Sequence, residues 1–203
     1  MTLEIKISKK LIPYKSAFKF LKKRVDSLKK QEGKDLLWIL EHPLTFTGGI
    51  RSKKNEILDK KIKIIETNRG GKITLHNPGQ KIVYFVLNLN NKKKDIKNLV
   101  KQIEISIVEF LKLYNVKSYT DKENIGVWVK GKKIAAIGIR VSQWIAYHGC
   151  SININNNLDH YKKIIPCGLD NNKITSVKNE SKKNLKNIEE NLKQVFIKNL
   201  KNI

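Results

Sequence analysis

The sequence predicts a mixed α/β (α+β) fold in which a mainly antiparallel or mixed sheet is flanked by helices. Short alternating or apolar stretches outnumber helical ones, hairpin patterns fill the middle of the chain, and three longer stretches repeat apolar residues at helical spacing. With 203 residues and no internal repeat or linker-like stretch, a single domain over 1–203 is expected.

Leu3–Ser8 alternates as a strand does, and Ser16–Lys30 then places Phe18, Leu21, Val25 and Leu28 on one face of a helix, with lysines opposite. Leu36–Leu40 is a short apolar run and reads as a buried strand. Pro43 opens a loop through Thr47-Gly48-Gly49-Ile50-Arg51. Ile62–Glu66 reads as a strand and Asn68–Lys72 as a turn; Ile73–His76 and Lys81–Leu89 read as strands around Asn77-Pro78-Gly79. Asp95 is placed to cap a helix that runs to about Tyr114 on Leu99, Ile103, Ile107, Phe110 and Leu111. Gly126–Val129, a turn at Lys130-Gly131-Lys132 and Lys133–Ser142 form a hairpin pattern, which Trp144–Ile154 continues. The tail predicts an amphipathic helix from about 182 to 199, on Leu185, Ile188, Leu192 and Val195/Phe196.

Composition excludes several classes. No apolar run approaches the ~20 residues of a membrane-spanning helix, and Met1-Thr2-Leu3-Glu4 opens no signal-peptide core, so a cytoplasmic protein without a membrane partner is expected. Two cysteines, Cys150 and Cys167, make no disulfide framework. The net charge of +24 invites a nucleic-acid partner, but 38 of the 42 basic residues are lysines and only Arg24, Arg51, Arg69 and Arg140 are arginines. Lysine is abundant together with Asn and Ile, all with AT-rich codons, whereas base readers favour the arginine fork. Nucleic acid is therefore disfavoured as the main partner. The charge is also uneven: over Ile134–Leu169 the only charged residues are Arg140, Asp159, Lys162 and Lys163. A stretch spared from lysine in so basic a chain points to a buried or closely shaped region.

The motifs needed for phosphate-loop and dinucleotide chemistry are missing, the cysteines are not in C-x-x-C spacing, and no H-x-x-x-H pair supports a metal site. Cys167 lies in Pro166-Cys167-Gly168, framing that suits a thiol presented at a turn, although the residues alone favour a buried cysteine that only packs. Cys150 lies within an alternating strand and reads as packing. Lys133 opens the apolar run Lys133–Gly138; its amine is either drawn into a dry pocket or solvated like Lys130 and Lys132. Arg69-Gly70-Gly71-Lys72 reads as a binding loop or a structural turn.

Taken together these segments resemble the octanoyltransferases of lipoate biosynthesis, members of the biotin/lipoate protein ligase fold group. The resemblance rests on Arg69-Gly70-Gly71-Lys72-Ile73-Thr74-Leu75-His76-Asn77-Pro78-Gly79-Gln80, on Lys133-Ile134-Ala135-Ala136-Ile137-Gly138, on His148-Gly149-Cys150-Ser151-Ile152-Asn153 and on Pro166-Cys167-Gly168. Glu41-His42-Pro43, Thr47-Gly48 and Thr175-Ser176 fit as well, so a motif-bearing core spans about 36–178. Asn77, Leu75 and Cys150 depart from the family's usual Gly, Tyr and apolar residue.

The resemblance implies a catalytic domain that moves an octanoyl group from octanoyl-acyl carrier protein to a target lysine. The acceptors it implies are the lipoyl domains of 2-oxoacid dehydrogenase complexes and the glycine cleavage H protein. It also implies a thioester on Cys167, Lys133 as its partner in catalysis, and an acyl site lined by residues 69–76, by Ala136, Ile137 and Gly138, and by Gly149, Cys150 and Ser151. No cofactor is expected, since thioester exchange followed by amide formation needs no ATP. An ATP-dependent lipoate or biotin ligase of the same fold group and, from another class, a basic nucleic-acid-binding protein are the alternatives.

Overall fold

Strand β6 (Gln80–Asn88) is an almost unbroken apolar run, and it lies in the interior of a seven-stranded sheet with both faces covered. The computed structural model describes residues 3–166 and 173–203. The large sheet also holds β1 (Leu3–Ile7), β2 (Asp35–Leu40), β7 (Tyr119–Thr120), β8 (Val127–Val129), β9 (Lys132–Ser142) and β10 (Ile145–Asn153), in the order β1-β2-β6-β10-β9-β8-β7. Only β1 and β2 pair in parallel; the other neighbours are antiparallel. A second sheet sets β3 (Thr45–Gly48) between β4 (Ile64–Glu66) and β5 (Thr74–His76).

Pleat alternation sorts the large sheet's side chains into two cores. Leu37, Ile39, Val83, Phe85 and Leu87 pack under α2 (Ile96–Leu113) and α4 (Ile188–Leu200). Leu36, Trp38, Leu40, Ile82, Tyr84 and Val86 pack under α1 (Tyr14–Lys29). The small sheet has its own core of Phe46, Ile73, Leu75, Tyr161 and Ile164.

Helix ends follow local chemistry. The Asp95 carboxylate accepts from the Asn98 N–H at 2.9 Å, as its position predicts. Both long N-terminal helices stop at a left-handed residue, Gln31 (φ 61°) after α1 and Asn115 (φ 58°) after α2. Each then closes with paired backbone bonds, Glu32 N–H to Ser27 O at 2.9 Å and Val116 N–H to Leu111 O at 3.1 Å. Lys130 (φ 48°) and Gly131 (φ 76°) make the two-residue turn joining β8 and β9.

The sequence reading needs four amendments. The loop expected from Pro43 contains β3, because Phe46 has a small core to enter. The strands on either side of Asn77-Pro78-Gly79 belong to different sheets, so that turn carries the chain between layers. The C-terminal helix begins at Ile188; a four-residue helix α3 (Val177–Glu180), capped by Ser176, precedes it. The short edge strand β7 has no apolar alternation to announce it.

Candidate active site

The Arg69–Lys72 loop forms a roof over the large sheet. Its backbone is clasped on two sides: Ile50 N–H donates to Arg69 O at 3.0 Å, Arg51 N–H to Gly71 O at 3.0 Å, and Gly70 N–H to Ile139 O of β9 at 3.1 Å. The buried Arg69 guanidinium braces the loop from inside, with Nη2 on Thr47 O (2.8 Å) and on Thr47 Oγ1 (2.9 Å). Gly49 has to be glycine, since a Cβ there would lie 2.4 Å from Gly71 O.

Beneath the roof, Gly149 of β10 pairs with Gly138 of β9 and, on its other side, with Tyr84 of β6. Two facing glycines with Ala136 and Ser151 leave a trough in the sheet. The roof narrows it to a half-open cavity of about 50 Å³, lined by Arg69, Gly70, Gly71, Lys72, Thr74, His76, Ala136, Ile137, Gly138, Gly149, Cys150 and Ser151. The structure thus gathers most of the residues singled out in the sequence onto one cavity. Ile73 and Leu75 are exceptions: they alternate away from Thr74 and His76 into the small sheet's core. Ile82, Tyr84 and His148 also line the cavity. His148 was visible within the His-Gly motif, whereas only the register of β6 brings Ile82 and Tyr84 to this face.

Three buried histidines flank this space. His42 donates from Nδ1 to Ile12 O (2.5 Å) and accepts at Nε2 from the Tyr84 hydroxyl (3.0 Å). His76 Nδ1 donates to Gln80 Oε1 (2.8 Å), and His148 Nε2 to Asn68 Oδ1 (2.9 Å), these tautomers following from the partners. Burial holds His42 down to about 4 and His148, with Arg69 and Arg140 adding to the effect, to about 3. Burial also takes His76 well below its ordinary value. All three are neutral at pH 7. Burial pushes the Cys150 thiol well above its usual range, so it remains a protonated packing group.

Lys133 is 7% exposed. Its Nζ donates to Ile125 O at 3.1 Å and lies 4.8 Å from the centre of the Trp128 ring. It lines a smaller pocket with Pro166, Tyr161 and Ile174; Thr74, Ala136 and Ser151 border both this pocket and the larger cavity, so the two adjoin. Lys133 also holds the segment at Thr175, its carbonyl accepting from Thr175 N–H at 3.0 Å. Cys167 lies outside the described residues.

A buried amine thus lines a small pocket that adjoins the apolar-walled cavity under the Arg69–Lys72 roof. The model of the lipoyl protein ligase A/B catalytic domain matches residues 13–201, and the chain belongs to that family. Its relatives are octanoyltransferases: it is 43% identical over 182 residues to that of Ehrlichia chaffeensis (87% of this chain, 85% of the relative). It is 41% identical over 177 residues to that of the Wolbachia of Brugia malayi (85% and 86%). The chain is an enzyme of this transferase group. Among solved structures, a bipartite lipoate protein ligase from Thermoplasma acidophilum superposes with a TM-score of 0.77 at 14% identity (99% of this chain, 84% of that one). Lipoate-protein ligase A bound with ATP does so at 0.77 and 12% (98% and 86%). At such identities these two establish the fold only.

Proposed function

We propose that the enzyme carries an octanoyl group from acyl carrier protein to the target lysine of a lipoyl domain, through a thioester on Cys167. One observation carries the reading. Pro166, covalently bonded to Cys167, lines the same pocket as the buried amine of Lys133, and that pocket adjoins the cavity under the Arg69–Lys72 roof.

The Cys167 thiolate attacks the carbonyl carbon of the octanoyl thioester on the carrier's phosphopantetheine arm. A new C–S bond forms, the old one breaks, and the departing thiolate takes a proton from the Lys133 ammonium. The acceptor amine then attacks the enzyme thioester, giving its proton to the Lys133 amine, and the amide forms as Cys167 leaves as thiolate. Charge and protons return to their starting state. The first step exchanges like for like and the amide makes the second downhill, so no nucleotide is consumed. A cation beside the sulfur favours its ionised form, which is the nucleophile. Burying the methylenes of an eight-carbon chain contributes roughly 5 kcal/mol to donor binding.

Intact-mass measurement after mixing with octanoyl-loaded carrier protein tests this reading. One octanoyl group should appear on the enzyme, vanish on adding a lipoyl domain, and be absent from Cys167→Ala. An adduct on that variant, or turnover that requires ATP, would overturn it.

A further inference from the structure

A buried ammonium is costly unless it is compensated, and the usual compensation is a carboxylate. Lys133 has none: among the described residues it enters no ion pair within 4.0 Å. What holds it is the Ile125 carbonyl at 3.1 Å and the face of Trp128 at 4.8 Å. This contact is built by the strands. Trp128 pairs directly with Lys133, while Val127 pairs with Ala135, so one extra residue in β9 makes a bulge at this point. Bulges re-aim side chains, and here Ile134 enters the main core while Lys133 turns to the pocket. The indole is fixed in turn, its Nε1 donating to Asn124 O at 3.0 Å within a turn capped by Asp121. Gly126 completes the cradle: a Cβ there would lie 3.1 Å from Lys133 Cε.

A carboxylate partner would neutralise the field of Lys133 at the pocket. A π-face and a carbonyl hold the ammonium in place with no counter-charge in contact with it, so its field remains available to an anion at the pocket. We propose that Trp128 is a positioning residue for the transfer reaction, holding the Lys133 ammonium at the pocket that Pro166 lines without neutralising it. The proposal rests on the reading of Cys167 and Lys133 given above. The nearby acidic groups do not take the indole's place: Asp121 is held low chiefly by the N–H groups of Glu123 and Asn124, with the charge of Lys133 as the smallest contribution and no ion pair between them, and Glu104 accepts from Gly126 N–H at 3.4 Å.

The test is the pH profile of Cys167 alkylation by iodoacetamide, with Cys167→Ala supplying the background. Trp128→Leu keeps apolar bulk without a π-face, and Trp128→Phe keeps a weaker one. The leucine variant should move the profile to higher pH and lower the neutral-pH rate on the order of tenfold, with phenylalanine between it and wild type. Fluorinated tryptophans, which withdraw charge from the ring with little change of shape, should give a graded shift and make the test independent of whether the leucine variant folds. Leucine and phenylalanine behaving alike, or a flat fluorination series, would reduce Trp128 to a packing residue and overturn the proposal. Lys133→Ala separates the two levels. If it leaves the profile unmoved, the reading of the site fails; if it shifts the profile while the Trp128 series does not, only the proposal fails.

Discussion

Gly138 and Gly149 face each other across two strands, yet a side chain would meet different surroundings at each. At Gly149 a Cβ would lie 1.9 Å from Val83 O, inside the sheet's own backbone. Gly149→Ala should therefore cost more than ~3 kcal/mol, the upper end for overpacking, measured as a fall in the urea midpoint. At Gly138 a Cβ would reach Gly70 O at 3.1 Å and Arg69 Cδ at 3.4 Å, across the cavity rather than into the sheet. Gly138→Val should fold and lose acyl-enzyme formation with octanoyl carrier by at least about tenfold, while a butanoyl carrier, needing less depth, is spared. Equal losses for both chain lengths in mass spectra would contradict this account of the cavity. The glycines were legible in the sequence because their motifs are continuous. Tyr84 and Ile82 were not, because their place depends on which strand β6 pairs with.

At the scale of elements, sequence reading succeeds where a segment's pattern answers to one neighbour. Helix α2 carries its cap, its stripe and its stop within twenty residues, and Asp95→Ala should cost about 1 kcal/mol by thermal or urea unfolding. The β8–β9 hairpin was read to within one residue at the start of each strand, Gly126 falling outside β8 and Lys132 inside β9, since Lys130-Gly131 selects the turn. Strand β3 escaped because Thr45–Gly48 offers one large apolar residue, and its pairing with β4 and β5 spans long sequence separations. The bulge opposite Trp128 escaped too. It displaces Lys133 by one position from simple alternation, and no residue type marks it. The feature that sets the candidate amine's direction was thus the least visible in the sequence.

For the whole molecule, three neutral histidines make an acid limit. The folded-state values of His42 (about 4) and His148 (about 3) lie below the ~6.5 of an unfolded histidine, and His76 is displaced the same way. As pH falls below ~6.5 the unfolded chain binds protons that the folded chain refuses, so stability declines by up to about 1.4 kcal/mol per pH unit for each histidine. The decline from this source ends for His42 near 4 and for His148 near 3. Unfolding free energy should be a few kcal/mol lower at pH 5 than at pH 7; equal values would mean that the histidines are not held neutral. The net charge of +24 acts at longer range. Acylation by an acidic carrier protein should slow several-fold between low and high salt, while alkylation by a neutral reagent should not.

Lys133 serves twice, through its amine toward the pocket and through its carbonyl, which fastens Thr175. Only the first is lost when the side chain is cut back to alanine. The vacated slot keeps its floor of indole, its waiting carbonyl and the close wall at Gly126. A short alkylammonium supplied in the buffer has the shape and charge to occupy that slot. Chemical rescue of Lys133→Ala, saturating with amine concentration and peaking at a particular chain length, would measure from outside the protein how well the cradle was made for its own lysine.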